Sequence, residues 1–335
     1  MVSSSPGPAP PARWLAIFLL LSALLVSVPA ARADDDPSAP RVVATLPPVH
    51  GLVEAVIEGT PARATGLLSN SGSPHSYALK PSDIASLREA DIVVWIGPGM
   101  ERFLVKPLST ILGPDTELVT LVDTPGLDLL PARGLDTLHG HDRGHGGDEG
   151  ADQRPGPRPN APRDLHIWLD PLRAQLLVDR IAIALGQADP ANAARYTANA
   201  ARFKSALADL DGAIEARLAP LRHRKLAVFH DAYQYFEARY RLQVVTFLTP
   251  HPGRTPGAKS LESIMARISA TGARCLVVEP QFRPALAEQV ARDLDLRLTT
   301  ADPLGGPAAG DASAYLRLLR DLADSFTTCL EAAGP

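Results

Sequence analysis

Apolar and polar positions follow two periods along the chain, and the two periods alternate. Short apolar runs rich in β-branched residues are typical of buried strands, and in the first part of the chain they occupy residues 41–46, 64–68, 91–96 and 117–122. Segments with apolar residues at helical spacing separate these runs, at residues 49–58, 81–90 and 101–112. Repeated alternation of strand and helix predicts a mostly parallel sheet with helices on both faces.

The same order returns in the last third of the chain. Predicted strands lie at residues 225–229, 244–249, 274–278 and 296–300. Predicted helices follow them at residues 233–240, 260–271, 284–294 and 312–330. The repetition predicts a second four-stranded sheet, and therefore a second α/β lobe.

A long helical segment separates the two sets of strands. Asp189 and Pro190 form a helix start, because aspartate can cap the helix and proline fits its first position. Apolar residues then recur at helical spacing as far as Ala219. A helix of this length would span roughly 45 Å, which suits a rigid connection between two lobes. The alternative is a pair of shorter helices broken at Gly212.

These patterns predict an α/β fold of two lobes, each a four-stranded, mostly parallel sheet flanked by helices, joined by one long rigid helix. The expected N-terminal lobe spans residues 34–188, the connecting helix residues 189–219 and the C-terminal lobe residues 220–335. Within the first lobe, residues 131–162 are rich in Gly, Pro, Asp and Arg. Such a composition cannot bury enough apolar surface to order itself, so we expect a mobile loop there.

The first 33 residues have the pattern of a secretory signal. Arg13 supplies the positive start, residues 14–28 form an apolar core, and Ala31 and Ala33 give the small residues of a cleavage site. A core of about 15 residues is short for a membrane-spanning helix, although an uncleaved anchor is the alternative. We therefore expect a signal peptide cleaved near Ala33 and a mature chain outside the cytoplasm.

Charge and cysteine content narrow the possibilities. The formal net charge of −4 argues against a nucleic-acid partner, which normally requires a basic patch. The two cysteines, Cys275 and Cys329, form an even pair. In an oxidising compartment such a pair favours a disulfide, and the alternative is two buried thiols.

Histidines and carboxylates of both lobes stand at or just after a predicted strand end or its equivalent, where open α/β sheets bind their ligands. They are His75, His166, His230, Glu279 and Asp302. Neutral imidazole suits borderline metals such as zinc, and three imidazoles with one carboxylate fill a tetrahedron. We expect His75, His166 and His230 as ligands and Asp302 as the fourth. Glu279 is expected either to hydrogen-bond a liganding imidazole or to serve as an alternative ligand.

Each of these residues also has a simpler interpretation. The alternatives are a surface role for His75 on its polar turn, a core role for His166 beside Trp168, and a turn cap for Asp302 before Pro303.

Five motifs resemble those of a known family. In chain order they read S-P-H-S-Y-A-L-K-P-S-D (73–83), A-D-I-V-V-W-I-G-P-G-M-E (90–101), H-I-W-L-D-P (166–171), V-F-H-D-A-Y-Q-Y-F (228–236) and C-L-V-V-E-P-Q-F (275–282). With this order and spacing, over nearly the whole mature chain, the sequence resembles the zinc-binding periplasmic component of metal ABC transporters, the ZnuA type within the TroA-like family.

The resemblance implies two lobes joined by a long helix, and a metal held at the positions of His75, His166 and His230. The manganese and iron branch of the family typically has a carboxylate at the third position, so His230 favours zinc. The Asp302 position matches a carboxylate that binds metal in some members. The ZnuA type often has an acidic residue just before its first histidine, and here Pro74 takes that place.

Two further features of the ZnuA type have counterparts here. A disulfide between Cys275 and Cys329 fits the family. The chain also has a short version of the family's His- and acid-rich loop, with His139, His141 and His145. We expect these histidines to form an auxiliary metal site; the alternative is a disordered spacer.

The expected function is high-affinity capture of Zn²⁺, as the transported ligand, by a monomeric periplasmic solute-binding protein. The expected partners are an inner-membrane ABC permease and its ATPase, and no enzymatic activity is expected. The alternatives are a manganese- or iron-binding protein of the same family, a surface adhesin with this fold, and an exported zinc-dependent hydrolase. Against the hydrolase, the sequence has no H-E-x-x-H motif and no obvious general base beside the histidines.

Overall fold

Four parallel strands form the first sheet of the computed structural model. They are β1 (Arg41–Ala44), β2 (Arg63–Gly66), β3 (Ile92–Trp95) and β4 (Glu117–Thr120), in the spatial order β2-β1-β3-β4. Every residue of β3 is buried, as expected for a central strand covered on both faces. The helices between these strands are α1 (Pro47–Ile57), α2 (Pro81–Glu89) and α3 (Val105–Ile111).

The second sheet has the same topology. Its strands are β5 (Lys225–His230), β6 (Gln243–Thr249), β7 (Cys275–Val278) and β8 (Arg297–Thr300), in the order β6-β5-β7-β8, and all neighbours are parallel. The flanking helices are α6 (Gln234–Tyr240), α7 (Ala258–Thr271), α8 (Ala285–Leu294) and α9 (Ala314–Glu331). The prediction of two parallel four-stranded sheets flanked by helices is therefore confirmed.

The structure describes residues 1–3, 7, 38–68, 72–134, 162–250, 256–283, 285–305 and 311–331. The predicted signal segment, residues 1–33, lies almost entirely outside these ranges, and so do the three loop histidines, His139, His141 and His145. Among the described residues, no helix is both long and apolar enough to cross a membrane. Both sheets lie in the compact unit that begins at Pro37.

A long helix connects the sheets. Helix α4 (Pro171–Ala188) ends at Asp189, a 3-10 turn (Pro190–Asn192) follows, and α5 (Ala193–Leu218) runs for 26 residues. Gly212 lies inside α5 and does not interrupt it, so the alternative of two shorter helices is wrong. A regular helix of this length is rigid because its backbone is hydrogen-bonded throughout, and it therefore fixes the separation of the elements at its two ends.

Buried polar contacts tie α5 to both halves of the fold. The Asn199 amide donates to the backbone oxygens of Val56 and Glu58, at the end of α1, at 2.8 Å each. Farther along the helix, Asp211 accepts a hydrogen bond from the Tyr240 hydroxyl of α6 at 3.0 Å. One hydrophobic core continues beneath α5 and takes side chains from both sheets. The two sheets therefore share a core along the connecting helix.

Many elements begin or end one or two residues from their predicted bounds, and α3 differs more at its start. The helix expected from residue 101 begins only at Val105, because the buried Glu101 carboxylate accepts hydrogen bonds from the backbone N–H groups of Ile96 (2.9 Å) and Gly97 (3.0 Å). This arrangement folds the intervening residues into turns. The strand expected to reach residue 122 ends at Thr120, and Leu121–Asp123 form a 3-10 turn.

A disulfide joins Cys275 of β7 to Cys329 of α9, with 5.6 Å between the Cα atoms. Both residues are fully buried. The predicted pairing is present, and it fixes the last helix to the centre of the second sheet.

Removing this disulfide should destabilise the chain through its unfolded state. For a sequence separation of 54 residues, the loop-closure entropy corresponds to about 4 kcal/mol. We expect Cys275→Ser/Cys329→Ser to lower the free energy of unfolding by up to that amount, as measured by urea titration of metal-free protein. Wild-type protein unfolded in the presence of a reductant is the control and should match the variant. Identical unfolding midpoints for the variant and the oxidised wild type would contradict the expectation.

Candidate metal centre

Three histidines meet at the carboxyl ends of the strands. His75 lies on the turn after β2, His166 precedes a 3-10 turn (Ile167–Leu169), and His230 is the last residue of β5. One ring nitrogen from each lies within 4.8 Å of the corresponding nitrogens of the other two. The ring centroids are 5.2–5.8 Å apart. A single cation can therefore be reached by all three imidazoles.

The two buried imidazoles are each oriented by a carboxylate. His166 Nδ1 lies 2.8 Å from Asp164 Oδ1, and the same oxygen accepts the His166 backbone N–H at 3.0 Å. His230 Nδ1 lies 3.1 Å from Glu279 Oε1. A carboxylate that accepts from Nδ1 fixes the tautomer and leaves Nε2 as the donor toward a metal.

Asp164 is a residue that the sequence analysis did not select. It is buried, and its backbone oxygen accepts a hydrogen bond from the Tyr235 hydroxyl at 2.8 Å. The sequence does contain one signal for this contact, the D-x-H spacing of Asp164 and His166. An aspartate at this spacing can accept a hydrogen bond from the backbone N–H two residues on. That pattern is common in loops, so it does not identify a metal site by itself.

Burial and charge oppose each other in this pocket. Burial lowers the pKa of His166, but the charge and hydrogen bond of Asp164 outweigh it, and the pKa is raised above its ordinary value. Burial raises the pKa of Glu279 to about 8, although the nearby His166 works in the opposite direction.

The third imidazole stands at the mouth of the pocket. His75 is exposed, whereas His166 and His230 are 8% and 3% exposed. The rest of the pocket wall combines apolar and amide side chains with one carboxyl, and besides the histidines it is formed by Ser73, Pro74, Trp168, Glu279, Gln281, Phe282, Pro303 and Leu304. An ion would thus enter on the His75 side and meet the buried imidazoles behind it.

Asp302, the predicted fourth ligand, lies beside the site without joining the cluster of donor atoms. Its Oδ1 accepts hydrogen bonds from Gln281 Nε2 at 2.7 Å and from the Leu304 backbone N–H at 2.9 Å. Burial raises the pKa of Asp302. Among the residues that the structure describes, the group of converging donors consists of His75, His166 and His230. A ligand role for Asp302 stays a prediction.

Buried ion pairs lie next to the site and stabilise it. Arg133 donates to the Asp231 carboxylate and to Glu237, the latter through Nη1 at 2.7 Å. Asp231 directly follows His230, and Glu237 lies on α6. Arg133 is not among the residues predicted from the sequence. Arg133 lies in the segment that follows the first sheet. Its contacts with Asp231 and Glu237 join this segment to the second sheet, at the end where His230 lies.

Backbone hydrogen bonds also hold the segment that contains Arg133. Residues Pro131 and Arg163 form an antiparallel bridge, with Ala132 N–H donating to Pro162 O and Asp164 N–H to Leu130 O, both at 2.9 Å. Leu130 N–H in turn donates to the Tyr235 hydroxyl at 2.9 Å. The bridge holds residues 130–134 and 162–164 together next to His166.

Two parallel sheets joined by one helix, with three imidazoles gathered at their strand ends, place the chain among two-lobed α/β proteins whose cleft can hold a metal ion. Its sequence between residues 42 and 329 matches the family described as zinc-uptake complex component A, periplasmic (ZnuA). The chain belongs to this family.

The chain is similar to known relatives over most of their length. The chain is 36% identical over 306 residues to "High-affinity zinc uptake system protein ZnuA" of Brucella abortus (strain 2308), covering 86% of this chain and 91% of that protein. A crystal structure of ZnuA superimposes with a TM-score of 0.70 at 25% identity, covering 87% of this chain and 99% of that one. A ZnuA deletion mutant with zinc bound gives 0.67 at 26% identity, covering 86% and 98%.

Replacing Arg133 with methionine would leave Asp231 and Glu237 buried without their cation. Removing one partner of a buried ion pair costs about 3–5 kcal/mol, and we expect the free energy of unfolding of metal-free protein to fall by that amount. The loss should be larger at about pH 8 than at about pH 6, because the unpaired carboxyls must ionise as the pH rises. Burial already raises the pKa of Glu237 to about 7 beside Arg133.

Urea unfolding at the two pH values measures this effect. Arg317→Met is the matched control, since Arg317 pairs with Asp311 at the surface. It should change stability little at either pH. Equal losses in the two variants, or a loss in the Arg133 variant that does not depend on pH, would contradict the prediction.

Proposed function

We propose that this chain is a periplasmic solute-binding protein that captures Zn²⁺ with high affinity and delivers it to an ABC importer. The observation that supports this most directly is the convergence of one nitrogen from each of His75, His166 and His230 within 4.8 Å. The family membership and the names of the relatives point to the same cargo.

The donor set favours zinc over harder cations. Imidazole nitrogen suits zinc and other borderline metals, whereas calcium, magnesium and manganese prefer oxygen ligands. We propose that His166 and His230 bind through Nε2, since their Nδ1 atoms face Asp164 and Glu279. The fourth position is open to water, since the Asp302 carboxylate accepts hydrogen bonds from Gln281 and Leu304 instead.

The proposed role is binding and release rather than catalysis. Catalytic zinc sites pair an open coordination position with a positioned general base. The carboxyl residue that lines this pocket, Glu279, lies with its Oε1 3.1 Å from His230 Nδ1. We propose that it orients the ligand and does not activate water.

Delivery requires partners in the membrane. We propose that the chain is a monomer, exported with a signal peptide cleaved near Ala33, and that it docks on an inner-membrane permease coupled to an ATPase. We further propose that His139, His141 and His145 bind metal weakly and pass it to the main site.

Replacing a buried ligand should abolish tight binding. We expect His230→Ala to weaken zinc binding by at least the 10–100-fold range that is typical even of residues that only orient a ligand. Competition against a chelator of known affinity measures the change. His223→Ala is the control, because His223 is exposed on a different turn, and it should bind like the wild type. Unchanged affinity in the His230 variant would refute the site assignment.

Zinc affinity should fall as the pH is lowered, because an imidazole must lose its proton before it binds a metal. The pKa of His166 is raised, so protonation, and with it the loss of affinity, begins at a higher pH than for an ordinary histidine at about 6.5. We expect a decrease of about tenfold per pH unit for each proton taken up.

Chelator competition between about pH 8 and about pH 5.5 covers the range in which histidine titrates. In Asp164→Asn, the charge that raises the His166 pKa is gone, so the fall should begin at a lower pH. Affinity that stays constant across this range would exclude histidine ligation. A profile identical in the wild type and the Asp164 variant would exclude the role assigned to Asp164.

A further inference from the structure

Gln281 connects the wall of the metal pocket to Asp302. Its side chain lines the pocket together with Glu279 and Phe282. Its Nε2 donates to Asp302 Oδ1 at 2.7 Å. The orientation of the amide is fixed, because an ionised carboxylate only accepts hydrogen bonds and the NH₂ group must therefore face it.

The turn that bears Asp302 is held in place around this contact. Asp302 Oδ1 also accepts the Leu304 N–H at 2.9 Å. The next backbone oxygen, that of Pro303, accepts the Trp168 indole N–H at 2.7 Å. Pro303 and Leu304 line the pocket, but Asp302 does not. The carboxylate thus sits next to the site and is directed to other partners.

The other end of the Gln281 amide has no partner among the described residues. Its Oε1 is buried and receives no hydrogen bond from that part of the chain. A buried acceptor without a donor is destabilising. An apolar side chain of similar size would avoid this penalty, so fold stability alone does not account for glutamine here.

We propose that Gln281 is the residue that sets metal selectivity, by keeping the Asp302 carboxylate out of the coordination shell. This inference rests on the proposed function. With Asp302 withheld, the site offers three imidazoles and a position for water, which suits zinc. With Asp302 admitted, it would gain the oxygen ligand that manganese and iron(II) accept more readily.

The experiment compares wild type with Gln281→Leu, Asp302→Asn and the double variant. Leucine keeps the bulk of the side chain and cannot donate to Asp302. Zinc and manganese dissociation constants are measured by chelator competition and by electron paramagnetic resonance of free Mn²⁺. The visible spectrum of the Co²⁺ form reports the coordination number, because four-coordinate Co²⁺ absorbs far more strongly than five- or six-coordinate Co²⁺.

We expect Gln281→Leu to raise manganese affinity relative to zinc by about 10–100-fold, the size of effect typical of residues just outside the coordination shell of a metal. Its Co²⁺ spectrum should weaken toward that of a higher coordination number. Both changes should vanish in the double variant, because they require the Asp302 carboxylate. Asp302→Asn alone should bind zinc like the wild type.

Gln289→Leu is the matched control. Gln289 Nε2 donates to Asp293 Oδ1 at the same 2.7 Å, but on the exposed face of α8. This variant should leave the zinc-to-manganese ratio and the Co²⁺ spectrum unchanged.

Three results would overturn the inference. The first is an unchanged zinc-to-manganese ratio in Gln281→Leu. The second is a gain in manganese affinity that persists in the double variant. The third is a loss of zinc affinity in Asp302→Asn, which would make Asp302 a zinc ligand and Gln281 its support. That third test uses a variant with Gln281 intact, so it decides the matter even if Gln281→Leu does not fold. Tight zinc binding by the wild type keeps the proposed function standing in all three cases, whereas its absence would overturn both.

Discussion

Three neutral imidazoles must come together at one point, although they are supplied by two separate sheets. Most of the structure around the site depends on this requirement. Burial disfavours a charged imidazole, and the carboxylates that orient His166 and His230 favour it. The metal-free pocket therefore contains groups that hold protons which a cation would displace. The same few contacts therefore set both the positions of these imidazoles and their affinity for protons.

The position of each histidine is fixed at two scales. Over the length of the molecule, α5 binds the end of α1 through Asn199 and packs on α6 through Asp211. Close to the site, Arg133 spans from the first half of the chain to Asp231, the neighbour of His230. The long helix sets where the two sheets stand, and the arginine sets how the strand ends meet. A change in either would alter the distance between donor nitrogens without touching a ligand.

Much of this arrangement could be predicted from the sequence, and the exceptions have physical reasons. Strand and helix periods gave the two sheets, and the strand-end rule placed His75 and His230. His166 instead precedes a 3-10 turn. Arg133 was not predicted because its partners lie 98 and 104 residues away in the sequence, and no local pattern indicates such a pairing. The behaviour of Asp302 was also beyond the sequence. Residue type suggested a ligand, but the direction of the carboxylate depends on Gln281, which comes from another strand end.

The antiparallel bridge between Pro131 and Arg163 has a consequence for how this protein can be modified. Because the chain is clamped on both sides of the bridge, the ends of the intervening segment stay at a fixed separation whatever its length. Sequence inserted between them would leave the backbone contacts of Asp164 in place. A fluorescent domain placed there would be attached to the segment that carries His166, and the chain could in this way be turned into a reporter of free metal.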